Sequence, residues 1–90
     1  MSKDFREIQV PVIVKRLSSG CDVFIPDLQI TIHGQDFVDA IANASMKASA
    51  VYFYNYERNT KLPFTKTYAE VDAMSRRHKN WFTTYIALTS

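Results

Sequence analysis

The sequence is poor in the residues that build covalent or metal-held frameworks. Its only cysteine is Cys21, so no internal disulfide can form. Its two histidines, His33 and His78, are widely separated and give no Cys and His spacing for a closed zinc site. A lone thiol suits a reducing compartment, and a cytoplasmic location is expected. No stretch approaches the roughly 18 apolar residues of a membrane helix, and MSKDFREIQV has no signal-peptide core, so neither membrane insertion nor export is expected. Charge of one sign is missing too: eleven Lys and Arg face nine Asp and Glu, without a long block of either. The one basic cluster is Arg76-Arg77-His78-Lys79, and four such residues in a row are ordinarily a solvated loop or helix end.

What remains is 47% hydrophobic residues in a chain of 90, which describes one domain over residues 1–90. A chain of this size buries about 60 to 65% of its unfolded surface, so association with itself, as a dimer or tetramer, or with a partner is expected to add stability. The two glycines punctuate the chain: Gly20 ends the Ser18-Ser19-Gly20 turn and Gly34 precedes a helix. Ile8, Val10, Val12 and Val14 alternate along a first strand, which Pro11 predicts to be an edge or to pair on one side only at that point. Such an edge is a candidate docking rail. Cys21, Val23 and Ile25 alternate in a second strand ended by Pro26, and Leu28, Ile30 and Ile32 in a third. The three form an antiparallel meander.

Asp36 predicts a helix N-cap with Asp39 in the first turn. Along the helix, Phe37, Ala40, Ile41, Ala44, Ala48, Val51 and Tyr52 share the face that lies on a sheet. Val38, Ala42, Met46, Phe53 and Tyr56 share the other, where a lone small domain should be polar. Val38, Met46, Phe53 and Tyr56 are therefore the candidate protein interface. TKLPFTKTY reads as a loop, Tyr68 to Arg77 as a short helix, and Trp81 to Leu88 as a fourth strand that closes the sheet. The fold class is α+β.

No chemistry announces itself. Cys21 alternates with core residues and reads as a small buried hydrophobe. His33, on a strand just before the helix, reads as an ordinary exposed histidine rather than a titrating or anion-binding group. Pro26 and Asp27 read as structural, the proline ending a strand and the carboxylate capping a turn. There is no phosphate loop, nucleophile elbow or paired histidine, and nothing converges the carboxylates for metal chemistry, so neither an enzyme nor a cofactor is expected. The alternative to protein binding is an RNA-binding module that uses Arg76, Arg77 and Lys79 with the aromatic surface.

The order strand, strand, strand, helix, strand, with PDLQI followed by HGQDFVDAI, resembles the HicB-like antitoxin family. The resemblance runs through Pro26, Asp27, Leu28, Gly34, Asp36, Asp39, Ala40 and Ile41, and Lys61-Leu62-Pro63 is similar to a proline loop after the helix. It implies a partial RNase H-like fold that neutralises a HicA-type toxin, a small ribonuclease, by covering it. Family members usually carry a C-terminal DNA-binding domain after the last strand. This sequence ends at Ser90, so neither that domain nor operator binding is expected here. The slight positive charge departs from the acidic surface expected of such an antitoxin and predicts weak electrostatic steering.

Overall fold

The computed structural model describes residues 8–58 and 66–88. In chain order they form β1 (Ile8–Leu17), β2 (Gly20–Ile25), β3 (Ile30–Gly34), α1 (Phe37–Glu57), α2 (Tyr68–Ser75) and β4 (Trp81–Leu88). The strands make one antiparallel sheet in the order β3-β2-β1-β4. This is a small α+β domain with α1 on one face of the sheet and α2 on the other. Lys61-Leu62-Pro63 lies outside the described residues.

Side chains alternate across a strand, and Val10, Val12 and Val14 of β1, Cys21, Val23 and Ile25 of β2, and Ile86 and Leu88 of β4 form one buried layer. Ala40, Ala44 and Ala48 close that layer from α1. Their spacing puts three small side chains in line along the helix, so the helix backbone lies close to the sheet. Gly34 makes the approach possible at one end, since a Cβ there would sit 2.3 Å from the Ala40 nitrogen.

The structure corrects the edge position expected for β1, which is an interior strand between β2 and β4. Proline is tolerated because its missing N–H faces β2 where that ladder stops. The last β1 to β2 pair is Ile13 with Phe24, and the next hydrogen-bonding position would set Pro11 against Pro26, neither of which has a donor. On its other side Pro11 lies opposite Tyr85 of β4. One-sided pairing at Pro11 holds. The docking rail on β1 does not.

On the opposite side of the β1 alternation Pro11 and Ile13 are buried as well, Ile13 beneath α2, whereas Gln9 is exposed and Lys15 half-buried. Ile13 is buried, and Val71 and Ser75 are the buried residues of α2. Ser75 Oγ donates to the Asp72 carbonyl at 3.0 Å and meets Thr83 Oγ1 at 2.7 Å, tying α2 to β4. α2 starts with a capping box, in which the Glu70 N–H donates to Thr67 Oγ1 and the Thr67 N–H donates to Glu70 Oε1 at 2.8 Å. It ends at Ser75, before the predicted Arg77. β3 starts later than predicted, at Ile30, because Leu28 and Gln29 belong to a turn in which both N–H groups donate to the Ile25 carbonyl and Gln29 has φ +56°.

β4 is an outer strand whose hydrogen-bonding groups point to β1 only at alternate residues. Of the carbonyls on its far side, that of Ala87 accepts from Ser45 Oγ of α1 and that of Thr83 accepts from the Tyr68 hydroxyl of α2 at 3.3 Å.

Candidate binding surfaces

The first surface is the outward side of α1. Asp36 sets the helix start: its carboxylate accepts the Asp39 N–H at 2.9 Å, and Asp39 in turn accepts the Gln35 N–H at 2.9 Å. With the alanine stripe facing the sheet, the opposite side presents Val38, Met46 and Tyr56, which are 74%, 67% and 66% exposed. Phe53 differs from its predicted place with them. It is half-buried, and its ring meets Tyr52 edge-on at 5.2 Å, while Tyr52 also stacks with Tyr56 at 6.3 Å. An aromatic cluster at the end of α1 has drawn Phe53 inward.

Phe37 departs in the other direction. Assigned by the helical wheel to the core, it is 45% exposed on the rim of a cleft of about 620 Å³ between the β1–β2 turn and the start of α1. Phe82 packs against it at 5.9 Å and carries Arg16 on its ring at 5.2 Å. Leu17, also exposed, completes an apolar mouth beside the α1 surface. Cys21 lines the same cleft, where burial first, and then the charge of Asp22, push its thiol above the ordinary value. Such a thiol is less reactive than a free one.

A second surface lies on the opposite face of the sheet. α2 covers β1 and β4, and at its C-terminal end a groove of about 340 Å³ opens beside β2. Lys15 Nζ sits 4.3 Å from the Trp81 ring centre and 5.1 Å from that of Phe24. His78 stacks on Trp81 at 3.5 Å, and Arg77 lines the groove with them. The predicted basic trio is thus divided. Arg77 faces the groove, Arg76 Nε is held by Asp72 Oδ2 at 2.8 Å, and Lys79 is exposed outside the groove lining. Lys15, Phe24 and Trp81 were not singled out from sequence. All three lie on the same side of the strand alternation, a signal that strand pairing turns into a cluster by placing Lys15 opposite Trp81.

The strand-borne Asp22 and the corner Asp27 each have their own partner. Asp22 Oδ1 meets His33 Nδ1 at 2.7 Å across β2 and β3, so His33 faces away from the start of α1. Asp27 Oδ1 accepts the Lys66 N–H at 3.0 Å, fastening the Pro26-Asp27 corner to the segment that enters α2. Among the described residues no three His, Cys, Asp or Glu side chains group as metal ligands. No described helix is long and apolar enough to cross a membrane. No family model, curated protein or solved structure matches the chain.

Proposed function

We propose that the chain is a HicB-like antitoxin-type binding protein, or an orphan relative of one, that acts by covering a small partner protein of the HicA ribonuclease type and performs no chemistry itself. The observation that carries this reading is the outward face of α1. Val38, Met46 and Tyr56 are each at least 66% exposed on a 21-residue helix, where apolar residues gain nothing from water and gain burial from a partner. The cleft rimmed by Leu17 and Phe37 extends that apolar surface at the helix start. Self-association through the same face is part of the reading.

The test is co-expression with the product of any small open reading frame beside this one, followed by light scattering and a growth assay. A defined complex with rescued growth is expected. Val38→Asp and Met46→Asp are the variants to use, since both side chains stand in solvent and their replacement leaves the core intact, whereas Phe53→Asp also disturbs the Tyr52 cluster. Unchanged oligomer size and unchanged rescue in both variants would reject the α1 face as the interface.

A further inference from the structure

We infer that the groove on the second face of the sheet binds single-stranded nucleic acid, with Lys15 and Arg77 taking phosphates and the rings of Phe24, Trp81 and His78 taking bases. Single-strand binding without sequence readout needs cations that track a backbone beside aromatic faces on which bases stack. Both are present within one groove. Lys15 lies over two rings at 4.3 and 5.1 Å, and His78 stacks on Trp81 at 3.5 Å, so a base that stacks on Phe24 or Trp81 takes the place of the Lys15 ammonium, which swings out on its flexible stem to the phosphate.

Charge complementarity selects the occupant. Of the nearby acidic side chains, Asp72 is paired with Arg76 at 2.8 Å, and Asp22, which stands opposite Lys15 in the β1–β2 register, is hydrogen-bonded to His33 at 2.7 Å. Lys15, Arg77 and Lys79 have no carboxylate partner among the described residues. With Asp22 set against Lys15, the groove presents a small excess of positive charge carried by Arg77, with Lys79 nearby in sequence, on a chain whose net charge is only +2. Its volume of about 340 Å³ falls in the range of ligand sites. β2 and β3 beside it carry no helix on this face, with Thr31 and His33 exposed, so a strand can continue past the groove. α1 lies across the sheet, so a protein on its outer face and a nucleic acid here do not compete for space.

The experiment uses a fluorescein-labelled single-stranded RNA of roughly ten nucleotides, a length typical of one such site, with binding read by anisotropy. Trp81 is the only tryptophan, so its fluorescence is a second readout. Expected results are saturable binding, quenching of Trp81, and a log K that falls linearly with log salt. Lys15→Gln and Arg77→Gln should each reduce that slope by about 0.7, and Phe24→Leu should weaken binding by about fivefold or more through lost stacking. Arg76→Gln should leave affinity unchanged, and circular dichroism identical to that of the parent chain shows that each variant is folded. Several outcomes overturn the inference: no binding at millimolar protein, equal loss in Arg76→Gln and Arg77→Gln, equal affinity for a double-stranded RNA, or full competition by polyglutamate or inorganic phosphate. None of these bears on the partner of α1, which the Val38 and Met46 variants test alone.

Discussion

Replacing Gly34 by alanine adds one methyl group where β3 runs into α1, and its cost can be worked from the geometry. The new Cβ would lie 2.3 Å from the Ala40 nitrogen, 2.5 Å from its Cα and 2.8 Å from its Cβ, against 3.4 Å for ordinary contact. These are backbone or backbone-fixed atoms, so no side chain can swing aside and the start of α1 must lift by about 1 Å. A gap of that size removes a quarter to a half of the dispersion attraction between the surfaces it separates. Overpacking of this kind costs about 1–3 kcal/mol, and the rigidity of the obstacle puts Gly34→Ala at the upper end. Alanine also stiffens the unfolded chain, which returns about 0.4–1 kcal/mol. The net expectation is a loss of about 2 kcal/mol. Unfolding entropy is about 2.1 cal/mol/K per residue, which over 90 residues makes each kcal/mol worth about 5 °C, so Tm should fall by about 10 °C. Thermal unfolding followed by far-UV circular dichroism measures it. A Tm equal to or above that of the parent chain would refute the claim that α1 rests on the Gly34 backbone.

Other expectations follow from the same packing. Ile13→Ala, which empties the space under α2, should cost about 2–5 kcal/mol in denaturant unfolding despite its place on the nominally polar side of β1. Ser45→Ala should cost about 1 kcal/mol by leaving the Ala87 carbonyl without its hydroxyl donor. The Thr67 N–H holds the Glu70 carboxyl below its ordinary value, so its stabilising share is full above the unfolded pKa and is lost as pH falls through the lowered folded one. An acid titration of Glu70→Gln, which has no carboxyl to protonate there, should therefore show a flatter loss of α2 than the parent chain. Cys21 should react with a thiol reagent only as fast as the chain opens, and rapid labelling under native conditions would contradict its burial.

Local alternation made much of the fold legible. Val10, Val12 and Val14, Cys21, Val23 and Ile25, and Ala40, Ala44 and Ala48 all stand in the core that strand and helix periods assign them. What failed depended on pairing between distant segments. Pro11 signals an edge only if its nitrogen side would otherwise be paired, and here the ladder ends at Ile13 and Phe24, before Pro11 would face Pro26. Ile13 looks like an outward residue until α2 is known to lie over it. Phe37 and Phe53 left their wheel positions because the helix start borders a cleft and its end holds an aromatic cluster. The groove was half visible, as Arg77 in a basic run, but Lys15 meets Trp81 through a register that joins residues far apart in sequence.

The two hydroxyls on the outer strand reach beyond the stability of one fold. WFTTYIAL has no charge and no proline, and it is rich in the β-branched and aromatic residues that favour endless strand stacking. Natural sheets usually blunt such a border with a lysine or a bulge, and here Ser45 and Tyr68 occupy two of its outward carbonyls, those of Ala87 and Thr83, from opposite faces. The guard is conditional, because it lasts only while both helices stay docked. A fluctuation that lifts α1 or α2 would bare the border before the sheet itself comes apart, so fibre formation by this protein should track helix undocking rather than global unfolding.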